Sequence, residues 1–432
     1  MATTIFGDPY LPSPLTGNQH AKNQTLTGVV NQDNSLVGDV DTIASHAQGG
    51  NDVLIGGNST TESIGNDLRG DATSLIDHAQ GGDDILIGGN STGIGHVDNW
   101  LRGDAFGIDS GAQGGNDILI GGYASASGSI YNELIGDAVG MVDHAQGGND
   151  TLIGGNTSSN ADFSYNNLMG EALFMDNFAQ GGNDTLIGGN NSGTGLLQDV
   201  LGGEVAQDMR DHAQGGNDTL IGGNSSGTGS VLNILRGDAW AMHDYTHGGN
   251  NTLIGGNNCG SGTVNNYLSG AADVMDGSAQ GGNNTLIGGN SSGGGTVYNY
   301  FFGTAQEMSD NTQAGNNILI AGTADANSTV INDMWGNAQI IGSNVTLGKD
   351  IFIFKDNVAA GQTVGTQNTV EDFNQSHHDV IEFIGVAGVH SIANLSFDTT
   401  TSPGSTIINA GTDAVTLVGF TGTLTANDFL FA

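Results

Sequence analysis

HAQGGNDTLIGGN, residues 212–224, recurs lightly varied about nine times along the 432-residue chain. One copy would be a glycine-rich loop with a single carboxylate. Aligned on the Gly-Gly pair, the copies start at Gly49, Gly81, Gly114, Gly147, Gly181, Gly215, Gly248 and Gly281, with a degenerate copy at Ala314-Gly315. Successive starts lie 32 to 34 residues apart. A second motif interleaves with the first: NDLRGDA from Asn66, NWLRGDA from Asn99, NELIGDA from Asn132 and NILRGDA from Asn233, fading to NYLSGAA from Asn266. A fixed period of this length is the mark of a solenoid or array.

The apolar residues keep the same register. Leu54, Leu86, Leu119, Leu152, Leu186, Leu220, Leu253, Leu286 and Leu319 share one repeat position. A second column runs from Leu36 through Leu68, Leu101 and Leu134 to Phe301 and Met334, and a third reads Ile43, Ile76, Ile108, then Met141 onward to Met308. Each lies in a short run bounded by Gly, Asn and Asp, the pattern of a strand ending in a tight turn. No segment sustains a glycine-free helical period. The expected fold is therefore all-β: a parallel β-solenoid, β-roll or β-helix, of about nine 33-residue repeats over residues 31–340. Residues 1–30 form an N-terminal extension and 341–432 a small C-terminal β cap. Because NDTLIGG and NELIGDA resemble each other, the simplest winding is two short coils per repeat; one large coil with three strands is the alternative. The mixed Ile and Met column reads as core filling.

Charge poses the next question. There are 45 Asp and Glu against 7 Lys and Arg, a net charge of −38. No basic patch can be assembled, which excludes nucleic acid and anionic lipid as partners. The acids fall into columns. One follows the Gly-Gly pair: Asp52, Asp84, Asp117, Asp150, Asp184 and Asp218, then Asn251, Asn284 and Asn317. The other belongs to the second motif: Asp39, Asp71, Asp104, Asp137, Glu171, Glu204 and Asp238, then Ala271, Thr304 and Asn337. A third set, Asp77, Asp143, Asp176 and Asp211, stands just before a recurrent histidine position. Neighbouring strands lie about 4.8 Å apart. Stacked carboxylates would repel by about 2 to 3 kcal/mol per neighbouring pair at an effective dielectric near 20. Calcium fits the problem, since it takes six to eight oxygens and mixes carboxylates with backbone carbonyls. The first two columns are the candidate ligands, with ions expected mainly between Asp39 and Asp238; repeats from about Gly248 should need fewer.

GGNDTLIGG resembles the glycine- and aspartate-rich nonapeptide G-G-x-G-x-D-x-U-x of RTX (repeats-in-toxin) proteins, over about residues 34–340. The C-terminal segments DIFIFKD from Asp350, VEDFNQSHHDVIEF from Val370 and the closing AVTLVGFTGTLTANDFLFA are similar to the cap that follows RTX repeats in serralysin-like secreted enzymes. The resemblance implies a calcium-binding β-roll, type I secretion through an uncleaved C-terminal signal ending in Asp428-Phe429-Leu430-Phe431-Ala432, and an extracellular bacterial protein. Two departures stand out. The family's nonapeptides follow one another directly, whereas here loops such as SSGTGSV from Ser225 intervene, which implies fewer ions per turn. Ser376-His377 also replaces the glycine expected before Asp379.

No catalytic constellation is legible, and the chain is expected not to be an enzyme. H-E-x-x-H is absent, and the two G-x-S-x-G matches, at Gly223–Gly227 and Gly289–Gly293, lie in a Gly/Ser-rich array without the strand-to-helix context of a nucleophile elbow. His46, His78, His144 and His212 share a repeat position and read as turn residues before metal ligands. Cys259 is alone, so no internal disulfide is possible. The N-terminal residues carry no Sec-type signal, and no apolar run reaches the length of a transmembrane helix. What remains is a secreted, calcium-stiffened structural rod forming homo-oligomers or polymers in a surface layer, matrix, filament or adhesive coat. Open solenoid ends and Trp100, Phe106, Trp240 and Tyr298 could supply contacts. A module binding cell-surface polysaccharide or ice is the alternative, resting on the column Thr151, Thr185, Thr219, Thr252 and Thr285; a β-helix lyase or epimerase is third.

Overall fold

Short apolar runs separated by Gly, Asn and Asp cannot bury a face alone, but they can do so by stacking on their own copies. The computed structural model describes residues 4–8, 11, 13–158, 160–161, 163–355, 366–411 and 413–432, and its chain is a parallel β-solenoid of about eleven turns. Residues 97–120 show the coil. Val97–Arg102, Ala105–Ile108 and Ile118–Ile120 are its three strands. Each pairs in parallel with its counterpart one coil on: Leu101 with Leu134, Ile108 with Met141, Leu119 with Leu152. The repeat thus makes one large coil. The two short coils fail because the motifs, though alike, belong to strands of six and three residues on different sheets.

Stacking produces three sheets, of 15, 10 and 13 strands, called here first, second and third in the order in which a coil visits them. The N-terminal residues enter the stack directly, with Thr4–Phe6 paired to Asn34–Val37 and Thr25–Thr27 to Val53–Ile55. At the other end the second sheet stops at Ala338–Ile341 while the other two continue. Val380–Ile384 and Phe429–Phe431 extend the third sheet in parallel. Asp413–Leu417 extends the first sheet, which then closes with antiparallel Thr406–Ala410 and Leu395–Asp398. Asp356 of DIFIFKD lies outside the described residues.

Strand alternation sends every second side chain inward. The leucine columns of the first and third sheets form one continuous core, fully buried from Leu54 to Leu319. The Met column and an alanine column through Ala79, Ala112 and Ala145 form another under the second sheet. Within that column Leu75 takes the place expected for Ile76, pairing with Ile43 and Ile108. The core residue always stands six positions before the glycine pair, and Leu75 before Gly81 keeps that count.

The first residue of the second motif has a role its spacing did not announce. Asn66 donates from Nδ2 to Oδ1 of Asn99 at 2.9 Å, Asn99 to Asn132 at 2.7 Å, and Asn132 to Asn166 at 2.7 Å. The ladder resumes from Asn233 through Asn266, Asn299 and Asn332 to Asn368. Each rung also closes a glycine turn, as where Gly89 N–H donates to Asn99 Oδ1 and Asn99 Nδ2 to Gly89 O. Asp199 alone interrupts the series, accepting from Asn166 and offering no amide to Asn233.

Candidate cation site: two buried acid columns

Both acid columns predicted as ligands face the interior: Asp39, Asp52, Asp71, Asp84, Asp104, Asp117, Asp137, Asp150, Glu171, Asp184, Glu204, Asp218 and Asp238 are all at most 2% exposed. The third set behaves differently. Asp77, Asp143 and Asp211 are exposed turn residues with φ of 55°, 51° and 46°, and Asp176 is half-buried beside them.

In the column after the glycine pair, one carboxylate oxygen accepts a backbone N–H from the preceding coil. Asp84 N–H donates to Asp117 Oδ1 at 2.6 Å, Asp117 N–H to Asp150 at 2.7 Å, and Asp184 N–H to Asp218 at 2.8 Å. In the second-motif column, Gly82 N–H donates to Asp71 Oδ2 at 2.9 Å and Gly249 N–H to Asp238 Oδ1 at 2.8 Å. The other oxygen is buried without a hydrogen-bond partner on Asp52, Asp84, Asp117, Asp150, Asp184 and Asp218, as on Asp39, Asp71, Glu171, Glu204 and Asp238, whereas Asp104 and Asp137 share one glycine N–H, from Gly115 and Gly148, between both oxygens.

The glycine of the G-D pair explains where those oxygens point. A Cβ built on Gly103 would sit 1.9 Å from Asp117 Oδ2 and 1.8 Å from the Gly136 carbonyl oxygen. Only glycine lets carboxylate and carbonyl approach the same space. The Asn rungs show what that space requires. Asn251, Asn284 and Asn317 keep the same backbone bond to Oδ1, while their Nδ2 donates to the carbonyls of Gly270 at 3.3 Å, Gly303 at 3.2 Å and Gly336 at 2.9 Å. Where Asp stands instead, two acceptors face each other and positive charge is missing between them.

The columns also meet. Asp104, Asp117 and Asp137 each bring a carboxylate oxygen within 4.8 Å of the others, as do Glu204, Asp218 and Asp238. The donors are carboxylate and carbonyl oxygens, the chemistry of a hard cation. Electrostatics agree. Burial, then the neighbouring carboxylate Asp71, pushes Asp39 up to about 9. Burial, then Asp39, pushes Asp52 up to about 8. Burial raises Asp184 and Asp238 to about 7 and holds Asp71, Asp104, Asp117, Asp137 and Asp150 well above the carboxylate range, with neighbouring acids adding to it. Carboxylates held this way take up either protons or metal ions.

Acids return at the C-terminal end with a different environment. Asp379 accepts from Asp350 N–H at 3.0 Å and Asn374 N–H at 2.9 Å, and Asp372 from Gly336 N–H at 2.7 Å and Asn337 N–H at 3.0 Å. Both oxygens of each are satisfied by the backbone. The histidines stack: His46 on His78 at 5.3 Å, and His144, Phe178, His212 and Tyr245 in one run at 4.8 to 5.1 Å. Rings stacked this far apart hold corresponding nitrogens too widely for one zinc ion, which needs each within about 2.1 Å. Ser225 of the first G-x-S-x-G is buried and donates its hydroxyl to the Gly229 carbonyl at 3.1 Å, a turn-closing bond. Among the described residues no helix is long and apolar enough to cross a membrane. Comparison with family models, curated proteins and solved structures finds no match to this chain.

Proposed function

We propose that this protein is an extracellular calcium-binding structural protein, a solenoid rod stiffened by ions held between its two acid columns and assembling with copies of itself. One observation carries the reading: a buried carboxylate oxygen that lacks a partner on every rung from Asp52 to Asp218 of the column after the glycine pair, against the Asn rungs of the same column, which close on the equivalent glycine carbonyl. Calcium would be held by the unpartnered oxygens of both columns together with glycine carbonyls such as Gly136, and would supply the charge that an Asn amide supplies elsewhere. Export by type I machinery follows from the RTX resemblance. In low cytosolic calcium the acid rungs would resist folding and leave the chain threadable; at millimolar calcium outside they would close, a case of metal-coupled folding. The reading assigns the protein no reaction.

A polysaccharide-binding adhesin is the second reading, favoured by aromatic rings on the outward face of the first sheet. Tyr131 stacks on Tyr165 at 5.2 Å and Tyr267 on Tyr300 at 4.7 Å. Those rings stack on one another, so mainly their edges are left for a sugar.

Calorimetric titration of calcium into chelator-treated protein, followed in parallel by far-UV circular dichroism, decides the main reading. Uptake of several ions with a gain of β-structure or of thermal stability is expected. A stripped protein that neither binds calcium nor changes stability would overturn it.

A further inference from the structure

The strands of the third sheet turn a plain surface outward. One coil places Asn183, Thr185, Ile187 and Asn190 on it, and the neighbouring coils repeat the pattern in register, Thr185 pairing with Thr219 and Ile187 with Ile221. The flanking asparagines are tied along the axis: Asn217 Nδ2 donates to Asn183 Oδ1 at 3.1 Å and Asn224 Nδ2 to Asn190 Oδ1 at 2.8 Å. Over the nine coils between residues 51 and 323, Asp83 is the only charged residue among these outward positions. In a chain of net charge −38, such a strip is where another acidic molecule can approach without like-charge repulsion.

We infer that this face is a self-association surface on which a second copy of the chain packs side by side. The inference rests on the assembling-rod reading and adds to it the face that assembles. A grid of identical groups repeated every coil rewards a partner with the same repeat, and a second copy matches it rung for rung. Nine rungs about 4.8 Å apart and the five residues from Asn183 to Ile187 at about 3.3 Å give a flat strip of about 40 by 16 Å. That is about 650 Å², most of the roughly 800 Å² per partner of a standard stable interface before the Asn190 edge beyond the glycine turn is added. Stacked Thr and Ile between asparagine ladders make a surface of the kind that packs dry against its own copy in paired sheets. The ladders also hold the asparagine side chains in place before contact, which lowers the entropy lost on association.

Sedimentation velocity on the full chain in millimolar calcium, with circular dichroism confirming the fold, tests this. The expected result is a dimer or lateral oligomer that Thr185→Glu with Thr219→Glu weakens at least about tenfold, as charges at the centre of an interface do. Thr252→Arg serves as a second, oppositely charged variant should the pair fail to fold. A folded wild-type chain that stays monomeric, or variants that associate as wild type does, overturns the inference. So does retention of the monomer on a crystalline polysaccharide or on ice through this same face, which would assign it to another periodic partner. If the chain proves folded and indifferent to calcium, the ion reading fails while the sedimentation result still decides this one.

Discussion

At Asp218 and Asn251 the same backbone bond reaches the same oxygen, and one terminal atom differs. That atom faces a glycine carbonyl, so an amide nitrogen closes the rung and a carboxylate oxygen leaves it open. Replacing Asp117 and Asp150 together by Asn should therefore stabilise the chelator-treated protein, by about 1 kcal/mol for each hydrogen bond formed. The same change should lower the calcium stoichiometry; thermal melts with and without chelator, paired with calorimetry, measure both. Asp199 offers the same contrast in the asparagine ladder. Burial raises it to about 7, against which hydrogen bonds from Asn166 and Gly189 act. Its other oxygen has no partner and, protonated, could donate as the amide of a neighbouring rung does. With its folded pKa above the unfolded value, its contribution is full at low pH and is lost as pH rises through about 7. Asp199→Asn should raise the melting temperature most above that pH and least near pH 3, below the unfolded value.

The acid columns behave as elements, because burial raises every carboxylate in them and neighbouring acids raise most of them further. Asp39 at about 9, Asp52 at about 8 and Asp238 at about 7 all lie above the 3.8 of a free Asp. Without a cation, the folded state binds more protons than the unfolded one across that window. Urea midpoints in chelator should fall as pH rises from about 4 to about 9, and saturating calcium should flatten the loss. A midpoint that rises over this range would mean that the columns are not buried as described. The columns themselves were legible in the sequence, since counting from the glycine pair puts Asp52, Asp117 and Leu119 on their rungs. The coil was not, because its size is set by hydrogen bonds between residues a whole repeat apart. The ladder from Asn66 to Asn132 escaped notice for a related reason: asparagine is ordinary beside turns, and nothing local marks one as inward-facing. Ile76 lies one residue past the rung that Leu75 occupies, and because side chains alternate, that single step is the difference between the core and the outer face.

Across the whole molecule the rungs divide into two stretches. Up to Asp238 both columns are acidic, while beyond it Asn251, Asn284, Asn317, Ala271 and Thr304 replace the acids. Limited proteolysis in chelator should cut first among residues 40–240 and spare a C-terminal fragment beginning near Gly248. Calcium should protect both, and uniform digestion would contradict the division. The ladders and columns have a further consequence. Asp84 with Asp117, Asn99 with Asn132 and Leu119 with Leu152 are all separated by the same 33 positions. Excising residues 217–249 would bring Asn250 to the place of Asn217, Asn251 to that of Asp218 and Ala271 to that of Asp238, while the leucine, methionine and asparagine rungs of the core would keep their kind of side chain. Removing a single residue inside a strand would instead misalign every rung that crosses it. The length of each strand is thus a counted quantity, while the chain can lengthen or shorten by whole coils or, as the spacings of 32 to 34 residues show, by single residues in the loops between strands.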